Sequence, residues 1–517
     1  MERSSGIVLG ITSLPGKYGI GSLGQTAYVF ADYLASAGQR VWQLLPLGPT
    51  SYGDSPYQSF SSFAGNPYLI DPDMLAADGL LTEEELAEAR YAGDPRLVDY
   101  GWLWETRWTL LAKAAARGLE RDREACLRFA RGNERWLEPY ALFMAAKRGF
   151  GMKPWWEWPK AYQAGDREST RELIRKEFGR DAEFFTWLQF TFFRQWEALR
   201  GYVHEKGLKL MGDLPIYVAA DSADVWSEPH FFDLGEDNLP VEVAGVPPDY
   251  FSKTGQLWGN PLYRWDRMEE DGYGWWIRRI DGAGRLYDII RIDHFRGFDS
   301  YWSVPYGAKN AVSGHWNKGP GMKLIGVLSS WFPELSFVAE DLGIPSPGVK
   351  KLLQDSGWPG MRVLEFAFVP GADSPYLPHN IRENSICYTG THDNLPIREW
   401  AEENPEEAAF AALYLSQGPE EPASRALIRA GMGSVSALFA ATMQDVLDLG
   451  KGHAMNRPGT SAGNWRWRML DDELSPELAA SLRELTERYG RCPRKKKAEA
   501  DEEAEEGASA DADEDLR

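Results

Sequence analysis

Cysteine and histidine are scarce in this 517-residue chain, which has 3 Cys and 7 His. The cysteines, Cys126, Cys387 and Cys492, are odd in number and far apart, so we expect neither a disulfide framework nor a cysteine-rich zinc site. The histidines form no HExxH motif, and no DxDxDG calcium loop is present. We therefore expect reduced thiols, as in the cytoplasm, and no metal centre.

Positive charge and long apolar runs are also limited. Asp and Glu number 77 against 56 Lys and Arg, which gives a formal net charge of -21. Such a chain lacks the basic patches that bind nucleic acid or anionic membranes. No window approaches the ~20 apolar residues that cross a bilayer, and MERSSGIVLGITSLPG has neither the basic nor the long apolar region of a signal peptide. We expect a cytoplasmic protein with no nucleic-acid or membrane partner.

Aromatic residues, in contrast, are abundant. The chain has 22 Trp, 22 Tyr and 23 Phe, together 13% of its residues. Most of these rings are expected in the core. Because the apolar faces of sugar rings pack on flat aromatic rings, an acidic chain this rich in Trp and Tyr favours a carbohydrate ligand.

Short apolar runs recur along the chain, several of them ending in polar or acidic residues, and they are typical of buried parallel strands. The strand candidates are Gly6–Leu14, Val41–Leu47, Leu208–Pro215, Ile289–His294, Phe337–Leu342, Met361–Phe366, Ser385–Asp393 and, as the eighth, His453–Thr460. Helical patterns lie between several of them, at Ala27–Gly38, Gly321–Trp331 and Pro347–Gly357. This alternation predicts the α/β class, as a (β/α)₈ barrel.

A barrel of this kind needs about 250 residues, so roughly half of the chain must lie in insertions. We expect one barrel domain over residues 1–490, with a helix-rich insertion at 68–200 and a loop-rich one at 221–280. Residues 494–517 form an acidic run without an apolar face, which predicts a disordered tail.

Acidic residues fall at the ends of four strand candidates: Asp213, Asp293, Glu340 and Asp393, the last beside His392 in a turn. The C-terminal ends of barrel strands converge on one face, so these carboxylates would share a cleft. A retaining glycosidic reaction uses one carboxylate as nucleophile and one protonated carboxyl as acid. A single Asp at such a position could instead only cap the following helix.

The flanking residues refine this interpretation. Strand alternation places Arg291 and Asp293 on one face, where the guanidinium is expected to lower the pKa of Asp293 and keep it ionised. Glu340 and Asp341 are alternatives for one role, since only one of two adjacent side chains on a regular strand faces the cleft.

At this point the sequence resembles a known family. GDLPIYV, RIDHFRGF, VAEDLG and THDN resemble the four regions shared by the α-amylase clan. The segments SYGDSPYQSFSSFAGNPYLID, VPPDYFSKTGQLWGNPLYRW, GMRVLEFAF and GTSAGNWRWR are similar to the 4-α-glucanotransferases (amylomaltases and disproportionating enzymes), family 77 of the glycoside hydrolases. The resemblance runs from about residue 6 to about residue 475.

The resemblance implies Asp293 as nucleophile, Glu340 as general acid/base and Asp393 as the carboxylate that stabilises the transition state. The residues that it implies as substrate contacts are Tyr57, Asp213, Asp249, Tyr250, Phe251, Trp258, Arg291, His294, His392 and Asn464. Asp249 to Phe251 match a lid over the acceptor side. Tyr52 and Tyr100 match a second glucan groove on the surface.

The implied activity is retaining transfer of an α-1,4-glucan segment from a donor maltodextrin to the 4-hydroxyl of an acceptor glucan or glucose. It proceeds through a covalent glucosyl-enzyme, needs no metal or organic cofactor, and the fold lacks a C-terminal β-sandwich. A hydrolytic α-glucosidase or amylase with the same carboxylates is the alternative. An inactive glycan-binding barrel is disfavoured by the intact carboxylates, and a phosphorylase by the lack of a phosphate-cradling glycine motif. One departure from the family is Glu399, where a glycine is expected before Trp400.

Overall fold

The computed structural model describes residues 2–51, 53–248, 252–343, 346–460 and 462–492. The strands within these ranges are β1 Ser4–Val8, β2 Val41–Gln43, β3 Lys209–Leu214, β4 Glu242–Val246, β5 Gln256–Pro261, β6 Ile289–Ile292, β7 Ser300–Pro305, β8 His315–Lys318, β9 Ser336–Ala339, β10 Gly360–Val363, β11 Ser385–Tyr388 and β12 Leu438–Thr442.

The α-helices within the same ranges are α1 Gln25–Ser36, α2 Pro72–Ala77, α3 Glu83–Glu88, α4 Tyr100–Arg121, α5 Arg123–Gly132, α6 Glu134–Gly149, α7 Glu168–Glu205 (kinked at Phe178), α8 Ala223–Ser227, α9 Trp265–Glu270, α10 Gly274–Leu286, α11 Met322–Trp331, α12 Pro347–Ser356, α13 Ile397–Glu403, α14 Pro405–Tyr414, α15 Ala423–Gly433, α16 Met443–Val446 and α17 Pro476–Arg488. Short 3₁₀ turns lie at Ile11–Ser13, Pro67–Leu69, Trp155–Glu157, Lys160–Tyr162, Pro229–Phe231, Phe295–Phe298, Leu364–Phe366 and Pro378–Asn380.

Parallel strands close into a barrel in the order β1-β2-β3-β6-β9-β10-β11-β12, and β12 pairs back onto β1. Its interior is filled by apolar side chains from all of these strands: Val8, Val41, Met211, Ile289, Val338, Met361, Val363, Ile386, Tyr388, Leu438 and Ala440. The predicted (β/α)₈ barrel is confirmed, and its packed interior leaves the C-terminal strand ends to carry chemistry.

Local signals account for the helices that the sequence predicts. Helix α12 begins with Pro347 after Ser346, whose side chain accepts a hydrogen bond from the backbone of Val349, and ends at Gly357 with φ of 68°. Serine caps the first turn, proline suits its first position, and glycine takes the left-handed conformation that stops a helix. Helix α1 ends at Ser36, and Gly38, two residues later, takes the left-handed conformation with φ of 71°.

The predicted eighth strand is wrong. Residues 453–460 form no strand, and the place beside β1 is taken by β12, which is wholly buried. Pro458 and Gly459 favour a turn rather than a ladder, since proline has no N–H to donate and Gly459 has φ of 82°.

Two groups of elements extend the barrel. Helices α4 to α7 lie between β2 and β3, and the ring of Trp187 on α7 packs so closely on α4 that a side chain at Gly118 would collide with it at 2.5 Å. Strands β4 and β5 join β7 and β8 in an antiparallel sheet of order β5-β4-β7-β8, which the sequence did not predict. The domain limits stated above stay predictions, and the tail at 494–517 lies outside the described residues. Within the described ranges, no helix has both the length and the apolar character needed to cross a membrane.

Candidate active site

An arginine lies at the centre of the cleft that the barrel strands form. Arg291 on β6 donates from Nη1 to both carboxylate oxygens of Asp213 on β3, each at 2.6 Å, and to Oδ1 of Asp293 at 3.1 Å. The side chains of Arg291 and Asp213 are 4% and 0% exposed, whereas that of Asp293 is 26% exposed. Asp213 therefore serves as the buried counter-charge, and Asp293 remains accessible from the cleft.

The pKa of Asp293 differs from the sequence-based expectation. Arg291 does favour the ionised form, but burial outweighs it, and the negative charges of Asp213 and Asp393 add to the effect. The pKa of Asp293 is raised to about 6. Burial is the main cause, because an enclosed carboxylate loses the hydration that stabilises its charge, and Asp213 also takes the closer contacts with the guanidinium.

Glu340 follows β9 and is held by backbone groups. Its Oε2 accepts from the N–H of His294 at 2.8 Å, and its Oε1 accepts from the N–H of Leu342 at 2.9 Å. His294 has φ of 51°, a left-handed conformation that is strained for a residue with a side chain and recurs at functional sites. Burial, together with the charge of Asp293, raises the pKa of Glu340 to about 7, although Arg291 opposes this.

The neighbouring Asp341 contacts strand β10 instead. It accepts from the N–H of Met361 at 2.7 Å and pairs with Arg362 at 3.0 Å. The carboxylate of Asp341 is thus used to fix β10, and Glu340 is the residue that shares the cleft with Asp293.

The third carboxylate, Asp393, lies in the turn after β11. A hydrogen-bonded series connects it to the arginine: the Tyr57 hydroxyl donates to Asp213 Oδ2 at 2.7 Å and lies 2.8 Å from His392 Nε2, which lies 3.4 Å from Asp393 Oδ2. Burial alone would lower the pKa of His392, but the charge of Asp393 raises it above its usual value.

Asp393 has a second partner that the sequence analysis missed. Asn456 donates from Nδ2 to Asp393 Oδ1 at 2.7 Å. Enclosure by protein would raise the pKa of Asp393, but His392 and this amide reverse the effect and bring it to about 2. The carboxylate is 46% exposed in the cleft and ionised at neutral pH. Asn456 was missed because its segment was assigned to the eighth strand. The signal that would have found it is the position of its loop next to the turn that holds Asp393.

Aromatic rings line the other side of the cleft. Trp258 on β5 packs edge-on against the ring of His294, with centroids 4.8 Å apart. Its Nε1 donates to Gln256 at 3.1 Å, and Gln58, which the sequence analysis did not single out, donates to Asn260 at 3.2 Å beside it. Burial lowers the pKa of His294 to about 4, so its imidazole is neutral.

Comparison with known proteins shows the family of the chain. A model of the 4-alpha-glucanotransferase family matches residues 9–473. The chain is 47% identical over 501 residues to a 4-alpha-glucanotransferase of Thermus thermophilus, covering 94% of this chain and 99% of that one. It is 44% identical over 485 residues to one of Clostridium butyricum, covering 93% and 99%.

The chain belongs to the 4-α-glucanotransferase family. Among solved structures, it is similar to the amylomaltase from Streptococcus agalactiae in complex with acarbose, with a TM-score of 0.92 and 40% identity over 95% of this chain and 100% of that one. The resemblance stated from sequence motifs is confirmed, as is the glycosyl-transferring class of the enzyme. The relatives do not favour the hydrolytic alternative.

Of the remaining residues that the sequence analysis assigned to the site, the structure describes Asn464 and Tyr100. The amide of Asn464 is engaged within its own loop, where it accepts from the Arg457 N–H at 3.0 Å and donates to Thr460 O at 3.1 Å. Tyr100, at the start of α4, donates to the Trp465 carbonyl at 3.0 Å. Tyr52, Asp249, Tyr250 and Phe251 lie outside the described residues.

Among the residues described, no three His, Cys, Asp or Glu side chains are arranged to hold a metal ion. The acidic residues of the cleft are instead matched with Arg291, backbone N–H groups, His392 and Asn456, as described above.

Proposed function

We propose that this 4-α-glucanotransferase uses Asp293 as nucleophile, Glu340 as general acid/base and Asp393 to stabilise the transition state. The observation that carries this assignment is the arrangement of three carboxylates in one cleft: Asp293 beside Arg291, Glu340 on the backbone N–H groups of His294 and Leu342, and Asp393 on His392 and Asn456. Burial raises the pKa of Glu340 to about 7, whereas His392 and Asn456 outweigh burial and bring that of Asp393 to about 2. Glu340 is therefore suited to carry a proton and Asp393 to stay ionised, as retaining chemistry requires.

In the first step, a carboxylate oxygen of Asp293 attacks the anomeric carbon of the donor glucan. Glu340 gives its proton to the glycosidic oxygen, the bond to the leaving segment breaks, and that segment departs with a free 4-hydroxyl. The charge of Asp393 favours the oxocarbenium-like transition state. In the second step, ionised Glu340 takes the proton from the 4-hydroxyl of an acceptor glucan or glucose, whose oxygen displaces Asp293.

The substrate contacts are proposed on the same basis. Tyr57 and Trp258 present aromatic faces at the cleft, which suits the apolar faces of glucose rings. His392 is proposed to reach sugar hydroxyls at the cleavage point, and neutral His294 to accept or donate one more hydrogen bond. Asp213, which was expected as a further contact, is 0% exposed and is proposed to act on the site through Arg291. Asp249, Tyr250 and Phe251 are proposed as a lid, Asn464 as an acceptor-side contact, and Tyr52 with Tyr100 as a second glucan groove. Proposed partners are maltodextrins and α-1,4-glucans, with glucose as acceptor or product.

We propose a cytoplasmic location, which is supported by three free thiols, two of them buried. Fractionation of the cells that make the protein tests this directly.

The function is tested by incubating the purified protein with maltotriose and separating the products by chain length. We expect a ladder of longer maltodextrins together with free glucose, and its loss in Glu340→Gln. Glu334→Gln, at an exposed position just before β9, is the matched control and should keep the ladder. Glucose and maltose without longer products would show hydrolysis instead, and no reaction on any α-1,4-glucan would contradict catalysis.

A further inference from the structure

A buried carboxylate lies behind the active site, on helix α13. Glu399 is 1% exposed, and its Oε1 is paired with the guanidinium of Arg457. Its Oε2 is buried without a hydrogen-bond partner among the residues described. A carboxylate in this state is costly to bury unless its position serves a purpose. The ion pair with Arg457 indicates which segment of the chain this carboxylate holds in place.

Arg457 belongs to the segment formed by residues 455–460 and 462–465, which we name the capping loop. The loop is closed by its own hydrogen bonds, from Trp465 N to Met455 O at 2.8 Å and from Arg457 N to Asn464 Oδ1 at 3.0 Å. The Arg457–Glu399 pair fastens this closed loop to α13. A glycine at position 399 would leave the guanidinium without this anchor.

The residue next to Arg457 makes the contact between the loop and the active site. Asn456 donates to Asp393 Oδ1 at 2.7 Å, and Asp393 lies in the turn that precedes α13. The pair Glu399–Arg457 and the contact Asn456–Asp393 therefore join the same two segments of chain at two neighbouring points. Loss of the Glu399–Arg457 pair would allow the loop to move so that Asn456 no longer contacts Asp393.

We propose that Glu399 is a positioning residue, whose ion pair with Arg457 holds the capping loop so that Asn456 fixes the Asp393 carboxylate for the transition state. The proposal rests on the proposed function, in which Asp393 stabilises that state. Glu399 does not touch the substrate and acts only through Arg457 and Asn456.

The test is a double-mutant cycle of Glu399→Gln and Asn456→Ala, measured as kcat and KM for maltotriose disproportionation. Each single variant should lower kcat about 10-fold, because misplacing a catalytic group costs rate rather than binding, and KM should change less than about 2-fold. The double variant should be no slower than Asn456→Ala, since both changes act through one contact. Glu402→Gln, which breaks an exposed pair with Arg398 on the same helix, should retain the wild-type rate.

Multiplied losses in the double variant, near 100-fold, would mean that Glu399 acts independently of Asn456 and would overturn the proposal. An unchanged kcat in Glu399→Gln would do the same while leaving the proposed function intact, because the wild-type rate tests that function separately. Should Glu399→Gln fail to fold, Arg457→Gln removes the same ion pair from its more exposed side, where Arg457 is 42% exposed. It must then show the same kcat loss and the same lack of additivity.

Discussion

Replacement of Arg291 by methionine tests whether the cleft depends on a buried ion pair. Methionine keeps much of the apolar volume but removes the charge that lies 2.6 Å from both oxygens of Asp213. The Asp213 side chain is 0% exposed, so solvent cannot replace the lost partner, and within the described ranges the Tyr57 hydroxyl is the hydrogen-bond donor that remains. Removing one partner of a buried pair costs about 3–5 kcal/mol, because the other charge is left uncompensated. We expect Arg291→Met to lower the free energy of unfolding by that amount.

The assay is urea unfolding followed by tryptophan fluorescence, with Arg291→Met/Asp213→Asn as the decisive variant. If the cost arises from an orphaned charge, the double variant should lose less than about 2 kcal/mol, since a neutral amide needs only hydrogen bonds. Arg488→Met, which breaks an exposed pair with Glu484, should stay within about 0.5 kcal/mol of wild type. A double variant as unstable as the single one would refute the reasoning and assign the loss to packing.

The pH dependence of kcat/KM should be bell-shaped, because Asp293 must be ionised and Glu340 protonated. Activity should rise with pH through about 6 and fall through about 7; an unchanged rate up to pH 9 would contradict the assignment. Tyr57→Phe removes the hydroxyl that links Asp213 to His392 and should lower kcat/KM about 10-fold. A kcat/KM within 2-fold of wild type would show that this link does not contribute to catalysis. Gly212→Ala would bring a methyl group within 2.1 Å of the buried Tyr287 ring and should destabilise the protein by about 1–3 kcal/mol. An unchanged melting temperature in calorimetry would contradict this expectation.

The barrel was predictable from sequence because most of its strands are short apolar runs bounded by Gly, Pro or charged residues. Seven of the strand candidates overlap barrel strands, from β1 to β11. The eighth failed because β12 (LFAAT) is a run of five residues directly before helix α16, whereas HAMNRPGT stood at a suitable distance. The sheet of β4, β5, β7 and β8 was missed since its strands pair across an intervening barrel strand, which periodicity does not reveal.

The residue types of the site were also predictable, but their contacts were not. Strand alternation correctly placed Arg291 beside Asp293. However, the guanidinium lies closer to Asp213 than to Asp293, and Asp213 belongs to the neighbouring strand, so this preference could not be read from β6 alone. The contact from Tyr57 to His392 joins residues 335 positions apart. Asn456 reaches Asp393 only because the capping loop folds back over the turn. Such distances are set by loop conformation, which local sequence patterns do not determine.

The central claim is that Asp293 forms a covalent intermediate that Glu340 helps to form and to resolve. The most direct measurement is mass spectrometry of Glu340→Gln after incubation with α-maltotriosyl fluoride. Fluoride leaves without acid catalysis, whereas the second step still needs a base, so the intermediate should accumulate. The account predicts a maltotriosyl ester on the peptide that contains Asp293, and none in Asp293→Asn/Glu340→Gln. An adduct on Asp213 or Asp393, or turnover without any adduct to a product of inverted configuration, would contradict it.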